Sequence, residues 1–184
     1  LHLQKNHNFD DMMHVIYSKG VTLKDCHLEN AFSDALDIDI SSITIHNCKI
    51  LNSGNDAIDL MDSNALIEKS HISNSGDKGI SVGEKSKVSI INSVLNNNSI
   101  GVEVKDQSTA YLINSDMLNN KLQLNAYSKN WHYGTGGTIH ASKSFFKSAG
   151  NPITVKKDSK VSIFDSAFPS GLPKEDKQFF IDTL

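Results

Sequence analysis

Acidic residues recur through this chain at a fixed interval. Asp34 and Asp56 lie 22 positions apart, as do Asp37 and Asp59, and the series Asp62, Glu84, Asp106 keeps the same interval. Two short segments hold Asp34, Asp37, Asp39, Asp56, Asp59 and Asp62, and neither contains a basic residue. Carboxylates brought within about 5 Å repel unless a cation intervenes or one keeps its proton. Hard oxygen ligands in that number suit Ca²⁺, with Asp37, Asp39, Asp59 and Asp62 as its ligands. Alternatively, Asp37 and Asp59 with split pKa values would serve as acid and base, and a separation near 5 Å would match a retaining glycosidase. A third reading leaves them as solvated surface residues with side chains splayed apart.

Histidine offers less. His27 and His71 occupy the same repeat position two intervals apart with Lys49 between them, so they cannot share one ion. No His-Glu-x-x-His segment or zinc-type Cys/His spacing is present. His14 differs, because it precedes Asp37 by about one interval, and a His beside carboxylates is tuned for proton transfer.

The elements that must position these groups follow from the repeat. A pattern of Cys or Ser, any residue, a large apolar residue, any residue, then Asn or Ser begins at Cys26, Cys48, Ser70, Ser93, Ser115, Ser144 and Ser166. Successive spacings are 22, 22, 23, 22, 29 and 22. Before each match stands an alternating segment such as Ile43-Thr44-Ile45 or Val88-Ser89-Ile90, and a third segment such as Leu36-Asp37-Ile38 opens most repeats. Three short strands per repeat cannot bury their apolar residues alone, so neighbouring repeats must stack around one shared core. Parallel crossovers are nearly always right-handed. The expected fold is an all-β, right-handed parallel β-helix of about seven rungs over residues 1–170, with residues 171–184 as a capping tail. In the opening strand Leu36, Ile38, Ile58 and Leu60 point inward, which turns Asp37, Asp59, Ser81 and Glu103 outward in one column.

The Asn column at Asn30, Asn52, Asn74, Asn97 and Asn119 is expected to form turn ladders, since Asn tolerates left-handed geometry. Cys26 and Cys48 are expected as two buried thiols, because side chains on neighbouring rungs do not converge as a bridge requires. The repeat breaks at an insertion, residues 125–138, which carries Trp131 and Tyr133. These aromatics either contact a ligand or fold back over a flank of the coil. The segment from Lys174 to Leu184 is read as a short helix whose Phe179, Phe180 and Leu184 cover the open end.

Composition narrows the function classes. No apolar run is long enough to span a bilayer, which argues against a membrane protein. A net charge of −3 supplies no basic stripe for nucleic acid. All 18 positive residues are Lys, so the bidentate guanidinium fork is absent. The start, Leu1-His2-Leu3-Gln4-Lys5, reads as a piece of a longer chain, and a monomer or a segment of a larger protein is expected.

The rung length, together with Ser53-Gly54-Asn55-Asp56-Ala57-Ile58-Asp59 and Ser75-Gly76-Asp77-Lys78-Gly79-Ile80, resembles the right-handed parallel β-helix repeat proteins. That pectate-lyase-like superfamily is rich in carbohydrate-binding proteins and sugar hydrolases. A similar look attaches to β-helix segments of bacterial surface proteins with CotH-type kinase domains. The resemblance implies a secreted or cell-surface domain that binds, and in some relatives processes, a polysaccharide. It would make Asp34, Asp56, Glu103, Trp131 and Tyr133 ligand-binding residues, and Lys78 the base of a Ca²⁺-assisted lyase beside Asp37 and Asp59. Asn55-Asp56 and Asp34 echo two polygalacturonase motifs loosely, while the Gly-His-Gly and Arg-x-Lys motifs are missing. The rival expectation is a non-catalytic structural or protein-interaction module.

Overall fold

Alternating apolar residues separated by tight corners wind the chain into a right-handed parallel β-helix. The computed structural model describes residues 1–7, 9–147, 153–156, 158–168 and the backbone of 179–182. Three parallel sheets run along the coil. The first sheet has seven strands, from His2–Asn6 through His27–Ala31 to Phe145–Lys147. The second also has seven, including His14–Ile16, Leu36–Asp39, Ile58–Met61, Lys78–Gly83, Ile100–Lys105 and Leu122–Tyr127. The third has eight and runs from Val21–Lys24 to Phe179–Asp182.

The core is a stack of aligned branched side chains. Leu28, Ile50, Ile72 and Leu95 come from the first sheet, Ile38, Leu60, Val82 and Val104 from the second, and Ile45, Ile67, Ile90 and Leu112 from the third. All are essentially inaccessible, so each rung is held by the rungs above and below it. Most corners are turned by single residues in the left-handed region, and those at Glu84-Lys85 and Asp106-Gln107 by pairs. Asn30, Asn52, Asn74, Asn97 and Asn119 have φ of 60°, 58°, 61°, 57° and 54°. Their amides form the expected ladder, with Asn52, Asn74 and Asn97 each donating to the Asn one rung below at 3.2, 2.9 and 2.8 Å. At the upper end of this column Asn119 donates instead to Asn96.

Cys26 and Cys48 are free, buried and in the inward column that continues as Ser70, Ser93 and Ser115. Burial pushes the Cys48 thiol up to about 11, which removes thiolate reactivity at neutral pH. Gly54 and Gly76 stack at a corner where backbone crosses backbone. A Cβ on Gly54 would overlap the carbonyl of Phe32, and one on Gly76 would overlap the carbonyl of Gly54.

The tail departs from expectation. Phe179–Asp182 forms a parallel strand on Lys160–Phe164 rather than part of a helix. Aromatic and β-branched residues favour strands, and the free edge of Lys160–Phe164 offers unpaired backbone groups. The side chains proposed to cap the coil end lie outside the described residues.

Candidate functional site

The second sheet carries a continuous outward ladder. Register pairs His14 with Asp37, Asp37 with Asp59, Asp59 with Ser81, Ser81 with Glu103 and Glu103 with Asn125. The lower rungs are acidic. His14 Nε2 lies 3.0 Å from Asp39 Oδ2 and 3.5 Å from Asp37 Oδ2. Asp11 joins them, and ligand atoms of Asp11, His14 and Asp37 lie within 4.8 Å of one another. Burial pushes Asp37 up to about 6, with the charges of Asp39 and Asp11 adding to the shift and His14 opposing it. Asp11 is raised for the same reason. Asp62 stands apart from this group, exposed on the corner after its strand at φ 46°.

The upper rungs are mixed in charge and enclosed. Glu103 is 3% exposed, although it points outward, because Asn125 and Tyr127 close over it. Asn125 Nδ2 donates to Glu103 Oε2 at 2.8 Å, and Tyr127 Oη donates to Oε1 at 3.1 Å. Burial and the Glu103 charge hold the Tyr127 hydroxyl well above its usual value. Lys105 runs across Gly83, where a Cβ would strike its Cε, and its Nζ donates to Ser81 Oγ at 3.1 Å. The Lys78 ammonium is 2.5 Å from Asp77 Oδ2 and 3.4 Å from Asp56 Oδ1. Burial alone would lower its pKa, but the hydrogen bond to Asp77 and the charges of Asp56 and Glu103 outweigh it and raise the value. Lys78 is thus held as a cation, the reverse of the neutral amine that a lyase base requires.

Asp34 and Asp56 are occupied by the coil itself. Asp34 Oδ1 accepts from Asn55 Nδ2 and the Asp56 backbone N–H, both at 2.8 Å, and Asp56 Oδ1 accepts from the Lys78 N–H at 2.9 Å. Each carboxylate therefore staples its corner to the next rung. Burial pushes Asp56 up to about 7, against the lowering influence of Lys78.

The insertion borders this face. The strand Leu122–Tyr127 continues two residues past Asn125, so the excursion proper starts later than the repeat break suggests. Asp106 is inaccessible to solvent, and its Oδ1 accepts from the N–H groups of Lys129 and Asn130 at 2.8 and 2.9 Å. Asn130 caps a single 3₁₀ turn, Trp131–Tyr133, by accepting from the His132 N–H. The Gln107 amide donates to the Tyr133 carbonyl, and Lys85 lies over the Tyr133 ring at 5.8 Å. Trp131 does not cover the coil. It is 80% exposed and stacks on His132 at a centroid distance of 3.8 Å.

Lys105, Asn125, Tyr127 and the anchoring role of Asp106 escape a reading of the repeat alone. One signal was available for Asp106, an acidic residue one rung before an insertion whose first backbone amides need acceptors.

A search of curated proteins finds no match to this chain. Among solved structures it aligns with QnrB1, a plasmid-mediated fluoroquinolone resistance protein, at 9% identity and a TM-score of 0.21, covering 92% of this chain and 91% of that one. So low a score carries no argument. The sequence profile described as "Right handed beta helix region" matches residues 4–153, and the chain belongs to that family.

Proposed function

We propose that this chain is a glycan-binding β-helix domain that takes an acidic or neutral polysaccharide along the outer ladder of its second sheet. The observation that carries this reading is Trp131, an indole 80% exposed on a loop tied down by Asp106, which directly follows the strand that carries Glu103. An exposed aromatic normally costs free energy in water, and a sugar's apolar face is the surface it fits. The ladder supplies the complementary polar groups: Asp37, Asp39 and Asp59 below and the partly buried Lys78 above, while Ser81, Glu103 and Lys105 are buried and shape the face from beneath. In this reading Ca²⁺ at Asp37, Asp39 and Asp59 offsets the burial and crowded charge that push Asp37 up, and bridges to uronate carboxylates. Lys78 acts as a cationic subsite. If the glycan is processed as well as bound, Asp37 is the proton donor in the metal-free site, where burial and neighbouring charge push its pKa up to about 6 and keep a protonated fraction available. Such a role places the protein outside the cell or on its surface, as a monomer or a segment of a larger protein.

The test is a microarray of uronate and neutral polysaccharides in millimolar Ca²⁺, probed with the native chain and with the Asp37→Ala/Asp59→Ala/Trp131→Ala variant. Binding by the native chain that the triple variant loses supports the reading. Equal binding by both, or none by either, sinks it and favours a non-catalytic structural or interaction module.

A further inference from the structure

A second cluster lies on a different sheet and takes no part in the proposed glycan face. The strand His2–Asn6 pairs in register with His27–Ala31, which sets His2 directly over His27. Their rings stack with centroids 4.6 Å apart and planes 11° from parallel. Glu29 lies two residues beyond His27 on the same outward face, and its Oε2 is 3.4 Å from His27 Nε2. One ligand atom from each of His2, His27 and Glu29 falls within 4.8 Å of the others. His27 Nε2 is shielded from solvent, yet it makes no hydrogen bond among the described residues. A shielded imidazole nitrogen that meets the Glu29 carboxylate at 3.4 Å without hydrogen-bond geometry is under-satisfied, and such groups call for an explanation.

We propose that His2, His27 and Glu29 form a binding site for a divalent transition ion of the Zn²⁺ class. Two imidazoles and one carboxylate are borderline and hard donors of the kind Zn²⁺ selects, and three protein ligands leave a position open for water. The stacked arrangement needs only small ring rotations to aim both nitrogens at one ion about 2.0–2.1 Å away. His2 has room for this, because its side chain is exposed. The carboxylate is oriented from behind, since Asn52 Nδ2 donates to Glu29 Oε1 at 3.4 Å. Lys49 follows His27 in the column and limits the site to one ion.

The experiment is calorimetric titration of the untagged chain with Zn²⁺ at neutral pH, with millimolar Ca²⁺ present to occupy oxygen-only sites. The site predicts saturable one-to-one binding, weakened at least about tenfold by His27→Asn and by Glu29→Gln. His2→Ala gives the same loss and, because His2 is exposed, controls for misfolding. His14→Ala, which removes the imidazole beside Asp37, leaves the affinity unchanged. Absence of saturable binding overturns the proposal, as does affinity that survives both His27→Asn and His2→Ala or is abolished by His14→Ala.

Discussion

Replacing Asp106 with Ala should release the aromatic loop while leaving the coil intact. Asp106 Oδ1 accepts two loop N–H groups at 2.8 and 2.9 Å from a site with no solvent exposure. Charge-assisted bonds of this kind contribute about 1.5–3 kcal/mol each, so the pair contributes about 3–6 kcal/mol. Oδ2 has no partner among the described residues, and removing that unsatisfied buried oxygen returns about 1–3 kcal/mol. Taking the middle of each range, the net loss is about 2.5 kcal/mol, which raises the open population of the loop roughly 70-fold. Lys129 sits exposed at the anchored end, so trypsin cleavage of the Lys129–Asn130 bond reads that population directly. Asp106→Ala should accelerate that cut by the same factor, with sites inside the strands, such as Lys87, still protected. Asp106→Asn keeps one acceptor oxygen and should fall between. An unchanged rate at Lys129, or equal acceleration at Lys87, would refute the anchoring argument.

Two further outcomes follow from the coil and the acidic rungs. Gly54→Ala forces a methyl into the carbonyl of Phe32 and should cost about 3 kcal/mol or more, lowering Tm by roughly 6–12 °C in thermal unfolding. A shift below a degree would mean that the stacked corners can separate. Asp37 has a folded pKa near 6, above its unfolded value of 3.8, so the folded state holds that proton more tightly. Its contribution to stability is therefore greatest below pH 3.8 and is lost as pH rises toward 6. After allowance for partial solvent exposure the loss is about 1–2 kcal/mol, and Asp37→Asn in metal-free buffer should abolish it. A native-minus-variant difference that is flat between pH 4 and 7 would contradict this.

Much of the scaffold was legible because stacking forces one-dimensional order. Once Cys26, Cys48 and Ser70 define the interval, alternation in Leu36-Asp37-Ile38 decides which side chains face out, and parallel register stacks Asp37, Asp59, Ser81 and Glu103. His14 beside Asp37 follows from the same counting. Less legible was what each acidic residue touches. Asp34, Asp56 and Asp106 look like surface acids in the repeat, yet all three satisfy backbone amides, since rung corners leave N–H groups that a short carboxylate can reach. Long side chains were harder still. Lys105 crosses Gly83 to reach Ser81, and Tyr127 folds over Glu103, contacts that depend on rotamers rather than on interval. Phe179–Asp182 joined a sheet edge because tertiary context overrode a reading based on end capping.

Trp131 is the chain's only tryptophan, so its fluorescence reports directly on the proposed glycan face. The decisive measurement is a titration of the native chain with oligosaccharides cut from whichever polysaccharide the array identifies, following indole emission in parallel with binding heat. A sugar stacked on an indole that is 80% exposed should shift emission to shorter wavelength along the same isotherm as the heat, and Asp37→Ala/Asp59→Ala should weaken both together. Binding heat with unchanged Trp131 emission, or affinity indifferent to Asp37 and Asp59, would contradict a glycan site on this face.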